Sequence, residues 1–357
     1  RSEEEQESFF QRYCRCLNSF DCTFKITVNN KNKDMDVLRN EVMLKYRNDG
    51  FDKMRESYNR IIKEKILEGR QGIEQERYLT ITIERKNFEE AKAQFATIEA
   101  SMFRSFAELG SKLTPLTGNE RLKILHDYYR LGREDEFNFD IRHGRITGTD
   151  FRNEICNTRI KYHPDYFEDE GKVGRVLFIK KYPTYLSDRF FTELTFLPVH
   201  SVTSVDVVPV PKDLTMKMLQ KKYLGIESDI IKQQRTRNRN NDFSSDISYA
   251  TRQKKKDIEE IMNNVRENDE SLYYVSVTMI VMADDRDELE SICETVDSIA
   301  KGAGCAVDTC MYKQREAVNT TLPIGVRQIE TMRTMLTQSL AVLMPFNVQE
   351  RATRFAV

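Results

Sequence analysis

Tyr78-Leu79-Thr80-Ile81-Thr82-Ile83 alternates apolar and polar residues, the period of a half-buried strand. After a polar break at 84–87, Phe88, Ala91, Phe95, Ile98, Met102, Phe106 and Leu109 recur at three- and four-residue steps, which is one apolar face of a helix. Gly110 stands where a helix C-terminal cap belongs. The same order returns later. Tyr274-Val275-Ser276-Val277-Thr278-Met279 reads as a strand, Asp284 and Asp285 offer capping side chains, and Leu289, Ile292, Val296 and Ile299 form a second helical stripe that closes at Gly302 and Gly304.

The parallel extends upstream of each strand. Cys22-Thr23-Phe24-Lys25-Ile26-Thr27-Val28 is strand-like and is followed by helical stretches at 36–46 and 51–67. The strand-like run at 202–210 is followed by longer helical stretches at 214–234 and 250–266. Each unit thus reads as strand, helical hairpin, strand, helix. The helical pair gives consecutive strands room to share a sheet as a crossover. The expected fold class is α+β, with two related lobes, each a small mixed sheet with helices on one face and a helical-hairpin insertion. The expected boundaries are a first lobe at 1–135, a connecting segment at 136–172 and a second lobe at 173–325. In the connecting segment, Gly144, Gly148, Pro164 and Gly171 punctuate a polar, weakly periodic stretch. Beyond it, 176–179 reads as a strand broken at Pro183, and 188–194 as a short helix.

The chain has 357 residues, a net charge of −1 and 32% charged residues, and its mean hydropathy is −0.61. A near-neutral balance gives no global field for nucleic acid. The longest nearly apolar run, 273–283, is short of the roughly 20 residues a membrane helix needs. The seven cysteines are scattered, and their usage suits a reducing compartment. Cys14, Cys16 and Cys22 have the wrong spacing for a zinc site, and Cys14 continues a helical stripe from Phe10.

No glycine-rich phosphate loop with its lysine is written in the chain, nor a nucleophile elbow. Carboxylate pairs such as Glu89-Glu90 fall on polar helix faces, where solvation is the plain reading. At 116–122 the run Leu-Thr-Gly-Asn-Glu-Arg-Leu reads as a helix start opened by Thr117 or Asn119. One region is electrostatically unusual. Lys232, Arg235, Arg237, Arg239, Arg252, Lys254, Lys255 and Lys256 face only Asp242 and Asp246 within 232–256. These eight bases are the candidate contacts for an anionic partner, either DNA phosphates or the headgroups of an anionic membrane. The competing reading is a solvated helical-hairpin tip. The stretch near 235–245 is expected to be the most mobile part of the second unit, because its Asn and Ser residues offer little apolar area to offset ordering.

In sequence order, several short elements carry a resemblance. They are 78–83 with Glu90-Ala91, then Leu116 to Leu125 with Asp127-Tyr128-Tyr129, Lys181-Tyr182-Pro183, and Val208-Pro209-Val210-Pro211. The last are Asn319-Thr-Thr-Leu-Pro-Ile-Gly325 and Leu340-Ala-Val-Leu-Met-Pro-Phe346. Through them the chain resembles the N-terminal region of the type IV secretion and conjugative-transfer ATPases, the TraC/TrbE/CagE-like VirB group. The resemblance implies a non-catalytic docking and assembly domain whose parent powers DNA or protein transfer. It implies no cofactor in this chain, with ATP and magnesium expected in a RecA-like motor, and 326–357 as the exit segment toward that motor. The implied partners are conjugation-channel membrane proteins and other subunits of the same ATPase, in a cytoplasmic location peripheral to the inner face of the cell membrane. No small-molecule substrate is implied. The final 351–357 departs from the usual approach to a nucleotide loop. The alternative reading is a DNA-binding accessory protein that uses the basic patch Lys232 to Lys256.

Overall fold

The computed structural model describes residues 3–32, 43–68, 73–131, 133, 136–155, 159–183, 186, 188–239 and 249–343. Helix α1 (Glu3–Asn18) leads into β1 (Thr23–Asn32); α2 (Asp52–Glu68), β2 (Ile73–Thr82) and α3 (Phe88–Glu108) follow. Next come α4 (Gly118–Tyr129), the short α5 (Ile141–Thr147) and α6 (Arg152–Ile155), and strands β3 (Ile160–Tyr162), β4 (Phe167–Asp169) and β5 (Lys172–Lys181). Helix α7 (Asp188–Thr195) precedes β6 (Ser201–Val210), the long pair α8 (Lys212–Arg239) and α9 (Tyr249–Glu267), β7 (Leu272–Ala283) and α10 (Arg286–Gly302). The described chain closes with β8 (Ala306–Thr309), α11 (Gln314–Thr321), β9 (Arg333–Leu336) and α12 (Thr337–Val342).

Local signals set the helix ends. Asn87 accepts from the Glu90 amide at the start of α3, and Asp285 does the same for Glu288 at the start of α10. Thr117 and Glu120 form a reciprocal capping box on α4. Gly110, just past α3, takes the left-handed conformation that suits glycine.

The class is α+β, and the nine strands form one sheet in the order β2-β1-β6-β7-β5-β4-β3, with β8 on β5 and β9 on β7. Three expectations are corrected here. The two units do not hold separate sheets, because β1 pairs with β6 and joins them. Every described pairing is antiparallel, so the sheet is not mixed. The reason is geometric: two antiparallel helices return the chain to the end it left, so β7 runs back alongside β6 rather than crossing over in parallel. Third, the helices cover both faces. On one face, Phe24, Ile26, Val205, Val207 and the odd-numbered residues of β7 pack with Leu17, Phe106, Phe190, Leu289 and Leu340 from five helices. On the other, Val176, Val202, Ile280 and Met282 meet Val318 and Leu322 from α11 and its exit and Tyr128 from α4. Burial on both sides leaves every residue of β7 except the half-buried Tyr274 in the interior, the polar Ser276 and Thr278 included.

The helix expected at 36–46 falls mainly outside the described residues, and 43–47 is not helical. The connecting segment is partly structural, since β4 joins the main sheet through β5. The strand at 176–179 and the short helix from 188 appear as β5 and α7. Cys16 lies in the core and Cys14 packs against it.

The two units meet at the β1–β6 pair. Tyr78 stands opposite Thr27, and Tyr274 stands opposite Val208. Matching Tyr78 to Tyr274 therefore matches position 27 to 208, a step of 181 residues, and the same step carries Lys25 onto Asp206. Lys25 and Asp206 are themselves register partners. Under this matching the pair is its own counterpart within the β2-β1-β6-β7 core.

Candidate functional site

Three features stand out beyond the core: a helical arm, a polar clamp under the 319–325 segment, and a slot beside the sheet's edge strand.

The arm is α8 with α9. At a rise of 1.5 Å per residue, the 28 residues of α8 extend about 40 Å. Thr215 and Leu219 anchor its base in the body, and Val265 does so for α9. Beyond Leu219, none of the described residues of α8 is buried, and none of α9 before Val265 is buried. The two helices lie against each other, and Tyr223, Ile226 and Ile230 on α8 and Ile258 and Met262 on α9 are half-buried. Within this seam Lys255 pairs with Glu227 at 3.0 Å and lies 5.0 Å above the Tyr223 ring. Lys255 is thus part of the arm's own packing, unlike its neighbours.

Lys232, Arg235, Arg239, Arg252, Lys254 and Lys256 are exposed, and Lys232 sits 3.9 Å from Asp229. Arg237 lies on α8, and its side chain is outside the described residues; of the stretch at 235–245 whose mobility the sequence suggested, 235–239 is the end of α8 and the rest lies outside the described residues. Charge is polarised along the arm: 232–239 and 249–256 hold bases and no acid, whereas Asp257, Glu259, Glu260 and Glu267 occupy the part of α9 nearer the sheet. The sequence reading missed the apolar residues among these bases. Leu224, Ile231 and Tyr249 are 62, 48 and 82% exposed. Leu214, Lys217, Lys221, Leu224, Ile231 and Arg235 follow helical spacing along one outer stripe, a signal the sequence did contain.

The polar clamp lies on the α11 face of the sheet. The Lys25 ammonium donates to the carbonyls of Thr320, Leu322 and Val326 at 2.5, 3.3 and 2.9 Å. These are orphan acceptors at and beyond a helix C-terminus, where a cation is favoured. Lys25 also reaches Asp206 at 3.6 Å, and Arg327 lies 3.8 Å from the same carboxylate. Burial lowers the Lys25 pKa and raises that of Asp206, and each partner's charge opposes the shift. Ser204 links Thr27 to the Thr321 carbonyl, and Thr321 donates to Thr278. The Thr80 and Thr82 hydroxyls reach the carbonyls of Pro323 and Gly325. The 319–325 segment is therefore stitched across β2, β1, β6 and β7.

The slot lies beside β2, a strand at the end of the sheet order. It encloses about 650 Å³ between β2, α3, the 112–116 strap and α4.

A scan of protein-family models and a search of curated proteins each return no match to this chain.

Proposed function

We propose that this chain is a non-catalytic docking and assembly domain of a conjugative type IV secretion ATPase. The ordered resemblance from 78–83 to 340–346 supports this reading. In the parent protein, ATP and magnesium belong to a RecA-like motor beyond Phe346, and the partners are channel membrane proteins and further ATPase subunits. The observation that carries a docking role is the arm: a helical pair with no burial duty beyond Leu219 and Val265, bearing exposed bases interleaved with exposed Leu224, Ile231 and Tyr249.

The chemistry of that arm favours the anionic inner face of a cell membrane. Bases near an anionic bilayer contribute about 1 kcal/mol each, and aliphatic and aromatic side chains settle at the headgroup boundary. Duplex DNA would use the same bases but would leave Leu224 and Ile231 without reward. The DNA-binding accessory reading is therefore the competitor.

Vesicles of phosphatidylcholine with and without phosphatidylglycerol discriminate the two. The expected result is sedimentation with the anionic vesicles, weakened by salt, by Lys232→Gln with Arg235→Gln and Arg239→Gln, and separately by Leu224→Ser with Ile231→Ser. Binding to duplex DNA that falls with the basic triple change but ignores the aliphatic pair would replace this reading. In cells, the parent ATPase carrying either set is expected to lose transfer and to leave the membrane fraction. Calorimetry on the chain alone is expected to show no ATP binding; micromolar affinity, about −8 kcal/mol, would overturn the non-catalytic assignment.

A further inference from the structure

The edge of β2 differs from an ordinary exposed edge. Strand β2 has ten residues and, among the described residues, pairs only with β1. In an antiparallel ladder, every second residue of such a strand turns its N–H and C=O away from its partner. Natural sheets usually blunt such an edge with a bulge or a covering element. Here the covering elements stand off. Helix α3 packs on the face that carries Leu79 and Ile81, and α4 packs on the opposite face near Tyr78. Residues of both helices and of the 112–116 strap line a half-open slot together with 76–81. The slot is the 650 Å³ space described above.

The walls of the slot identify its chemistry. Phe95, Ile98 and Met102 line one side, and Ile124, Leu125 and Pro323 line the other. An occupant extending the sheet would turn alternate side chains to α3 and to α4, so both of its faces meet apolar walls. Phe95, an apolar position in the sequence stripe of α3, lines the slot and is 42% exposed. The rim adds charge. Lys112 and Arg121 line the slot with Glu99, whereas Glu76 and Arg77, which also line it, are engaged with Lys31 and the Tyr78 hydroxyl and with Gln75. The balance presented to an occupant is therefore positive.

We propose that the slot beside β2 receives an extended segment of another protein chain, which adds to the sheet as a tenth strand. The segment is apolar on both faces and carries acidic residues that meet Lys112 and Arg121. A fatty acyl chain would fill the apolar volume but would leave the outward main-chain groups of β2 unpaired, a cost that an extended backbone removes. The six residues of β2 that line the slot, 76–81, span about 20 Å, the length of an ordinary strand. This surface is separate from the arm, so the proposal stands or falls independently of the membrane reading.

The test uses the 357-residue chain and a phage-displayed library of random dodecapeptides, counter-selected against the Phe95→Ser/Ile124→Ser variant. Both positions are incompletely buried, so the fold is expected to persist, and a thermal melt checks it. Enriched peptides are expected to be β-branched or aromatic with acidic residues. They should bind about tenfold more weakly to that variant, more weakly to Lys112→Glu/Arg121→Glu, and should slow amide exchange within 76–81. Failure to enrich any peptide, or enriched peptides that leave the 76–81 amides unprotected, overturns the proposal. Oleate uptake without amide protection replaces it with a lipid site. Protection of 76–81 by concentration-dependent self-association alone replaces it with a β2–β2 dimer.

Discussion

Lys25 and Asp206 face one another across the β1–β6 ladder, 3.6 Å apart, with their side chains only 3% and 5% exposed. They sit where the two units meet, and the ammonium simultaneously holds three carbonyls of the segment leaving α11. One ion pair therefore joins the internal repeat to the exit of the chain from the sheet.

Breaking this pair from one side should be costly. Lys25→Met leaves a buried carboxylate with only the more distant Arg327 and leaves three carbonyls without their donor. A loss of about 3–5 kcal/mol is expected, read as a lower urea midpoint. Adding Asp206→Leu should recover part of that loss, since the uncompensated charge is then gone. A single Lys25→Met variant as stable as the parent would refute the clamp.

Gly325 sits at φ +68°, and a Cβ there would lie 2.6 Å from the Thr82 hydroxyl oxygen. Gly325→Ala combines left-handed strain with this close approach. It is expected to cost about 1–2 kcal/mol, with proteolytic sensitivity rising first around 322–327. Uniform sensitivity along the chain would mean that the exit segment is not held locally.

His200 supplies a pH signature. Its Nδ1 donates to the Asn30 carbonyl at 2.6 Å, while Nε2 is buried without a protein partner among the described residues. Burial, assisted by nearby Lys172, lowers its pKa to about 4 from an ordinary 6.5. The unfolded chain therefore takes up a proton first as pH falls. Stability contributed by neutral His200 is complete above about pH 6.5 and is lost as pH falls toward 4, at roughly 1.4 kcal/mol per unit. His200→Asn should flatten the difference in melting temperature across that window. Parallel pH curves for the parent and the variant would show that the imidazole is not the titrating group.

Lys254 and Lys255 are adjacent bases with different duties. Lys254 is exposed, whereas Lys255 is tied to Glu227 and Tyr223. Lys254→Gln should weaken binding to anionic vesicles and leave arm helicity unchanged. Lys255→Gln should lower the arm's helical signal on heating, with a smaller effect on vesicle binding. Equal effects on binding would place both side chains on the outer surface.

The strands β1, β2, β5, β6 and β7 and the helices α2, α3, α4, α7, α8, α9 and α10 were legible in the sequence because burial imposes periods of 2 and 3.6 residues on local patterns. The cap residues Thr117 and Asp285 were legible because a helix start is a local hydrogen-bonding problem. The eight bases were visible as charge, but Lys255 could not be told from Lys254 until α8 brought Glu227 beside it. Nothing local to Lys25 marked it as the partner of Asp206, 181 residues away, or as the donor to carbonyls near 320–326. Likewise, Phe95 belongs to the apolar stripe of α3 yet is 42% exposed beside the slot, because periodicity records which face is apolar and not what covers it. Sequence determined the elements and their order through short-range sterics and burial period. Tertiary structure alone decided that two repeats share one antiparallel sheet, which polar groups that sheet buries together, and which edge it leaves open, because those depend on packing between residues far apart in the chain.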